Sequence, residues 1–374
     1  MMAKQIETHT LREWLEAQQP VTVLDIRTND DRIQWSIPGS LHVNAYEALQ
    51  NGQPGALADL VIPGDRPVVT ICNAGKVSQI AADVLANRGF DAQSLAGGMK
   101  AWTIAWNVAD VPLADSSVSM IQVRRTGKGC LSYMVASDGE AAVVDPSVTP
   151  DVYLDIAQRH RWSVRYVLET HIHADHLSRA RVLADQAGSV LLMPPQDRTR
   201  FAFAPIADGE LIRLGNATLR ALHTPGHTVE STSYVLNEAA VFTGDTLFIN
   251  GVGRPDLHAD PDAARVRARF LFKSLNQLRH LSPQIVVLPA HASEPIAFDG
   301  LPVAARMDDI NRWLAGWLTS ESGFVDRVTS HLPPAPPNFV LIIALNEAGD
   351  FPTSDPTELE AGANRCAVRQ DSRS

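Results

Sequence analysis

The stretch Thr170-His171-Ile172-His173-Ala174-Asp175-His176 decides the reading of this chain. Three imidazoles and a carboxylate fall between His171 and His176, directly after Val164 to Glu169. That run reads as a buried strand. His171 and His173 leave its end on the same side, and the chain turns towards a helix at Asp175-His176. Three more polar signatures follow apolar runs: His223-Thr224-Pro225-Gly226-His227-Thr228, Thr243-Gly244-Asp245 and Pro289-Ala290-His291. Each sits on a loop at a sheet end, where a rigid scaffold lets side chains converge. Histidine is the commonest metal ligand near neutral pH, and aspartate adds a hard anionic donor. The pattern predicts a metal centre, with His223 its weakest member. His9, His42, His160, His258, His280 and His331 stand apart from it.

Around this stretch, Ser119 to Leu288 carries closely spaced strand-like runs, among them Leu131 to Ala136, Ala141 to Asp145, Ala217 to Leu222 and Gln284 to Leu288. Helical spacing appears at Thr149 to His160, Leu177 to Gln186, Ala263 to Leu278 and Ala304 to Thr319. Such a mixture predicts a two-sheet sandwich covered by helices. The cluster Pro333 to Pro337 is expected to end the last helical region, and the polar tail from Asp350 to be extended or partly disordered. Upstream, Asp110 to Ser117 turns polar and reads as a linker.

Before the linker, strands and helices alternate. Val21 to Ile26, Pro67 to Cys72 and Phe90 to Leu95 read as buried strands, and Val77 to Arg88 as a helix with Gly89 at its C-cap. This spacing predicts a parallel α/β sheet with flanking helices. Cys72 ends a strand, and Asn73-Ala74-Gly75-Lys76-Val77-Ser78 leads into the helix. A loop curling into a helix N-terminus turns backbone N–H groups inward and forms an anion nest. With Lys76 beside it, that nest suits a reactive thiolate and would hold a persulfide anion. The domain pattern is therefore 1–109, a linker at 110–118, 119–350, and a tail at 351–374.

The 374 residues carry a formal charge of −10. That excess of acid argues against a nucleic-acid or anionic-membrane partner. Pure apolar runs such as Val340 to Leu345 are far too short to span a bilayer. The charged N-terminus lacks a signal core. Three scattered cysteines make no disulfide framework, so a reducing, cytoplasmic setting is expected. Cys130 reads as structural, and no chemistry is derived for Cys366.

Cys72-x-x-Gly75-x-x-Ser78 resembles the active loop of a rhodanese (sulfurtransferase) domain. The likeness covers about residues 5–108 and includes Asp25-x-Arg27, Ile37-Pro38-Gly39 and Gly97-Gly98-x-x-Ala101-Trp102. Ser36 stands where such domains usually have His, and the loop carries Lys76 as its one cation. The resemblance implies sulfane-sulfur transfer on Cys72, the rival being an inert module used for binding.

The histidine and aspartate motifs resemble the metallo-β-lactamase fold, an αββα sandwich, over about residues 118–330. Two chemistries are open within it. A dinuclear hydrolase of the glyoxalase II type would use two Zn or Fe ions on His171, His173 and His227, on Asp175, His176 and His291, with Asp245 between. With Gly253-Arg254-Pro255-Asp256, the same motifs also look like the persulfide dioxygenases. That likeness implies one Fe(II) per chain on His171, His227 and Asp245, a two-His-one-carboxylate set. His173, Asp175, His176 and His291 would then orient the ligands, and Arg254 would hold anionic sulfur. The implied reaction oxidises glutathione persulfide, or another low-molecular-weight persulfide, with O₂ to sulfite and thiol. A sulfane-sulfur donor would feed Cys72, and a homodimer is the family expectation. Ala292-Ser293 replaces the familiar Asp-Tyr after Pro-Ala-His.

Overall fold

The structure, a computed structural model, describes residues 3–330, 332–349, 356–362 and 364–369. His331 and the whole stretch from Asp350 to Asp355 lie outside the described residues, as do Met1, Met2, Ala363 and the last residues from Gln370. Five strands form the first sheet: β1 (Lys4–Ile6), β2 (Thr22–Asp25), β3 (Leu41–His42), β4 (Val68–Ile71) and β5 (Ala92–Leu95). All pair in parallel in the order β1-β5-β4-β2-β3. The helices around it are α1 (Thr8–Glu16), α2 (Asn29–Gln34), α3 (Tyr46–Gln50), α4 (Lys76–Asn87) and α5 (Gly98–Trp102). Strands buried on both faces read as continuous apolar runs. In β4, Val68 packs into one core with Leu24, Ala81 and Leu85, while Val69 joins Leu11, Val23 and Trp102 on the other side.

A seven-stranded sheet follows: β6 (Asn107–Asp110), β7 (Ser119–Arg125), β8 (Cys130–Ser137), β9 (Glu140–Val144), β10 (Ser163–Leu168), β11 (Val190–Met193) and β12 (Ala204–Pro205), in chain order across the sheet. The facing sheet holds β13 (Leu211–Leu214), β14 (Ala217–His223), β15 (Thr232–Leu236), β16 (Ala240–Gly244), β19 (Val286–Pro289) and β20 (Ala305–Arg306). A small antiparallel sheet joins β17 (Leu247–Phe248), β18 (Gly251–Gly253) and β21 (Ala367–Arg369). Tyr133 and Val135 meet Leu219, Tyr234 and Phe242 between the two large sheets. Their neighbours point outward: Met134 and Val143 to α6 (Pro150–His160) and α7 (Ala180–Ala187), and Val235 and Val241 to α8 (Pro261–Leu278), α9 (Met307–Trp317) and α10 (Glu321–Ser330). The period-2 alternation thus splits one run of apolar residues between two cores.

Three expectations are corrected. The second domain begins before the linker. Asn107 to Asp110 pairs with β7, because this strand closes the sheet edge and Asn107 Oδ1 accepts from the buried Arg124 Nε at 2.8 Å. Pro333 to Pro337 does not end the helices. It leads into α11 (Phe339–Ala348), whose Ile343 joins the α6 and α7 core. The tail is not simply extended, since α12 (Thr357–Glu360) lies between α5 of the first domain and Arg125 of the second, and β21 pairs with β18. Glu360 is fully buried, bonded by Arg125 Nη2 at 2.6 Å and by the Leu177 amide at 2.7 Å.

The domains also touch directly. Trp35 Nε1 donates to the Thr126 carbonyl at 3.0 Å, and Trp102 lies 6.2 Å from the Phe298 ring. Among the described residues no helix is long and apolar enough to cross a membrane.

Candidate metal centre and sulfur loop

The first candidate site is local. Cys72 is buried, and its Sγ accepts from the amides of Gly75 at 3.2 Å and Ser78 at 3.3 Å. Sγ also donates to Ser78 Oγ at 3.2 Å. The nest is built by close backbone approach. A Cβ on Gly98 would lie 2.2 Å from the Cys72 carbonyl oxygen, so Gly97-Gly98 must stay bare for the loop to close. Asn73, Ala74 and Lys76 are exposed along the rim, and Val77 packs into the core below. Asn73 and Ala74 line a cavity of about 350 Å³ with Arg27, Gln34, Gly127 and Gly362. Both domains and the tail therefore share the mouth of the Cys72 loop.

The second site is assembled from loops at one end of the sandwich. His171 and His173 follow β10, His227 follows β14, Asp245 follows β16 and His291 follows β19. The donor atoms of His171, His227 and Asp245 all lie within 4.8 Å of one another, and all three residues are buried. Asp245 Oδ2 is 3.8 Å from His171 Nε2 and 3.5 Å from His227 Nε2. Each of the three has its other polar atom engaged. His227 Nδ1 donates to the Arg254 carbonyl at 2.8 Å. His171 Nδ1 meets Thr170 Oγ1 at 2.9 Å, and that hydroxyl donates to Asp145 Oδ2 at 2.8 Å. Asp245 Oδ1 is 2.5 Å from His291 Nδ1. These partners fix Nδ1–H on both ligand imidazoles and turn their Nε2 lone pairs inward.

His171 Nε2 and Asp245 Oδ2 are buried without a hydrogen-bond partner. An unsatisfied buried polar atom costs about 1–3 kcal/mol, and a metal ion removes that cost. Burial holds His171 well below the usual imidazole range and lowers His227 as well. Burial raises the Asp245 carboxyl, but the His291, His171 and His227 imidazoles outweigh it and hold it below the ordinary range. Two neutral imidazoles and one carboxylate fit a divalent ion with open positions.

A second group of donors lies beside the first: Asp175, His176, His291 and Cys130, again within 4.8 Å of one another. Here the donors largely bond each other. His176 Nδ1 is 3.0 Å from Asp175 Oδ1, and His291 Nε2 is 3.0 Å from Asp175 Oδ2. Burial lowers His291, but Asp175 and Asp245 outweigh it and raise it well above the usual range. His173 stands outside both groups. Its Nε2 meets Glu169 Oε2 at 2.9 Å and Asp145 Oδ1 at 3.4 Å. Burial lowers His173, yet these two carboxylates hold it well above the usual range. His223 is exposed and bonds the Val229 carbonyl at 3.0 Å.

Arg254 is placed differently from the role expected for it. Its guanidinium is buried and spent on Asp256 at 2.8 Å through both Nε and Nη2, and on the carbonyls of Pro334 and Arg365 through Nη1. What reaches the centre is its carbonyl oxygen, on His227. Gly253 before it packs so tightly that a Cβ would lie 2.0 Å from the Asp245 carbonyl oxygen. The motif is thus a brace for two ligands.

Both remaining cysteines lie beside the centre, a position that the sequence did not reveal. Cys130 Sγ lies 3.5 Å from Asp175 Oδ2 and 3.8 Å from His176 Nδ1. Burial and Asp175 raise its thiol, but His176 and His291 outweigh them and lower it to about 6. Cys366 Sγ falls within 4.8 Å of donor atoms on Asp245 and His291, carried there by β21. Burial and Asp245 keep it a thiol, well above the usual range. Sequence reasoning also missed Asn346, whose Nδ2 donates to the carbonyls of His173 and His176 at 2.8 and 2.9 Å. Its one signal was a polar side chain ending the apolar run from Phe339 to Leu345.

Comparison with known proteins agrees with the two-domain architecture. A family model described as rhodanese-like domain matches residues 7–105, and one described as metallo-beta-lactamase superfamily matches residues 125–291. The hydroxyacylglutathione hydrolase of Anaeromyxobacter dehalogenans is 33% identical over 196 residues, 50% of this chain and 74% of that protein. That of Methylococcus capsulatus is 35% identical over 41% of this chain, which spans only 57% of its length. Among solved structures, a metallo-beta-lactamase from Staphylococcus aureus superposes with a TM-score of 0.57 at 24% identity, over 63% of this chain and 74% of that one. ETHE1 from Myxococcus xanthus gives a TM-score of 0.53 at 24% identity, over 61% of this chain and 97% of that one. At such identity these structures speak to the fold. The chain belongs to the metallo-beta-lactamase superfamily and carries a rhodanese-like domain ahead of its metal-binding sandwich.

Proposed function

We propose that the chain is a bifunctional enzyme of sulfur metabolism. Its sandwich domain oxidises a low-molecular-weight persulfide, glutathione persulfide foremost, with O₂ and water to sulfite and the free thiol. Its first domain carries sulfane sulfur on Cys72. The observation that carries the reading is the set His171, His227 and Asp245, with one inward donor each and the outer atom of each already bonded. Because His291 Nδ1 holds Asp245 Oδ1, only Oδ2 of that carboxylate is free for an ion. That favours one ion over a bridged pair. Bound Fe(II) would supply the one-electron redox chemistry that O₂ activation needs and zinc lacks. His171 and His227 provide neutral nitrogen donors, and Asp245 balances part of the charge.

In the first domain Cys72 Sγ attacks the outer sulfur of a sulfane donor. The donor's S–S bond breaks, its electron pair leaves with the remaining fragment, and the new persulfide sits against the Gly75 and Ser78 amides. A free thiol then accepts that sulfur. The juxtaposition supports the dioxygenase reading, since a sulfane-sulfur carrier beside a persulfide oxidase makes one chemical sequence.

A dinuclear thioesterase is the second reading. It is favoured by the clustering of Asp175, His176 and His291, by the partnerless Nε2 of His176, and by the hydroxyacylglutathione hydrolases among the relatives. Metal analysis with an oxygen electrode separates the two. About one iron per chain and O₂ uptake that depends on glutathione persulfide are expected. Two metals, hydrolysis of S-lactoylglutathione and no O₂ uptake would reverse the assignment.

A further inference from the structure

The cavity of about 350 Å³ beside Asn73 and Ala74 is the mouth of the Cys72 loop, and the second domain closes part of it. Gly127 of the turn after β7 and Ala361-Gly362 of the tail share its wall. These walls are fixed. The Gly127 amide donates to the Ala105 carbonyl at 3.1 Å, and Lys128 Nζ donates to the Glu360 carbonyl at 2.9 Å, next to Ala361. The volume is that of a small-molecule pocket. Its charges are unevenly matched. Arg27 is spent on Asp25, through Nε at 3.0 Å and Nη2 at 2.8 Å, and Lys100 is paired with Glu358 of α12. Lys76 stands on the rim, outside the lining. Asp31, which does line the cavity, has no cation within ion-pair distance among the described residues. Its Oδ2 instead accepts from Thr28 Oγ1 and from Asn73 Nδ2, each at 3.0 Å. An uncompensated carboxylate is thus tied to the residue that follows Cys72.

We infer that the sulfur donor of the first domain is the persulfide of a small thiol rather than thiosulfate, and that Asp31 sets this choice. The inference rests on the reading that Cys72 carries sulfane sulfur. Thiosulfate places two negative charges on the few atoms that must enter the cavity. Both would meet the Asp31 carboxylate with no free cation to offset them. A protonated persulfide, R–S–S–H, is neutral at the end that enters, and any charge on R stays towards solvent. The Cys72 thiol gives up its proton as Sγ attacks the outer sulfur. The S–S bond of the donor breaks, its electron pair leaves on the R–S sulfur, and that sulfur takes a proton and departs as the free thiol. One thiol and one persulfide enter and one of each leaves, so no oxidant is needed. The Gly75 and Ser78 amides that face Sγ receive the new persulfide.

Single-turnover loading of Cys72 in the full chain tests this. The reaction is run without O₂, the sulfur gained is read by intact mass, and Cys72→Ser is the blank. The donors are the persulfide of free cysteine and thiosulfate. The wild type should load from the persulfide at least about tenfold faster than from thiosulfate. Asp31→Asn keeps the size of the side chain and removes its charge. It should raise the ratio of thiosulfate to persulfide loading by about tenfold. Ala361→Trp narrows the cavity from the tail without touching the first domain, and should slow loading from the persulfide by about tenfold. Equal loading of the wild type from both donors overturns the donor class. An unchanged ratio in Asp31→Asn overturns the part given to that carboxylate, and unchanged loading in Ala361→Trp overturns the cavity as the donor's route. Absence of loading from either donor removes the reading of Cys72 as a sulfur carrier, and this inference with it.

Discussion

The two reactive centres solve the same problem, holding a sulfur or an ion in a buried place, by opposite means. The Cys72 nest is local. Its donors, Gly75 and Ser78, come within six residues of the sulfur and are backbone amides already turned inward by the loop. The metal centre is non-local. The ligands proposed for it come from three loops between His171 and Asp245, and the atoms that orient them come from Asp145, Arg254 and His291. A nest is made by backbone shape, so it tolerates side-chain change at its exposed rim but not at Gly75, Gly97 and Gly98, where the fold packs too closely for a Cβ. A ligand set is made by side chains, each needing its own support, so damage spreads from far away.

Asp245→Ala should produce the largest effect, because it removes the one anionic donor of the triad. Bound metal and persulfide-dependent O₂ uptake should both vanish, while sulfur transfer by the first domain persists. Loss of sulfur transfer as well would break the separation of the centres. The mirror experiment is Cys72→Ser. Sulfur transfer should be abolished, and O₂ uptake on preformed glutathione persulfide should match wild type in an iron-replete protein. A coupled assay that starts from a sulfane donor should fail and recover on adding that persulfide.

Glu360→Ala sharpens the contrast from a distance. Removing it strands Arg125 in the interior, and breaking such a buried pair costs about 3–5 kcal/mol. Denaturant unfolding checks this, and metal content should fall too, because Glu360 also holds the Leu177 amide next to His176. Burial raises the Glu360 carboxyl, but Arg125 and Arg179 outweigh it and hold it below its ordinary value. Its stabilisation is therefore complete above the unfolded value of about 4.3 and fades as pH falls through the lowered folded value. The acid limb of a wild-type stability profile should flatten in Glu360→Ala. The smallest effect is expected from His173→Ala, since His173 stands outside the triad. Iron should remain measurable, with activity reduced about 10–100-fold. Complete loss of iron would make His173 a ligand and favour the dinuclear reading.

Arg254 shows how a motif can be visible while its role is not. Gly253-Arg254-Pro255-Asp256 stood out in the sequence, but whether the guanidinium faces the metal depends on where Asp256, Pro334 and Arg365 end up. Cys130 and Cys366 teach the same lesson. Each is a single residue without a spacing partner, and each reaches the centre through strand pairing, Cys130 at the start of β8 and Cys366 on the tail.

The amino-acid sequence by itself determined both domain families, the cysteine loop and the histidines and aspartates that gather at the candidate metal centre. Those signals are short-range: alternating apolar runs, a loop entering a helix, and His and Asp placed directly after strands. Which donors face one another was decided only by tertiary structure. So were the closure of the sheet edge by Asn107 to Asp110 and the bracing by Asn346 and Glu360. These contacts join residues separated by up to several hundred positions, such as Gln34 and Arg365. Contacts of that kind leave no periodicity in a chain, because they are fixed by how the sheets, helices and tail pack together.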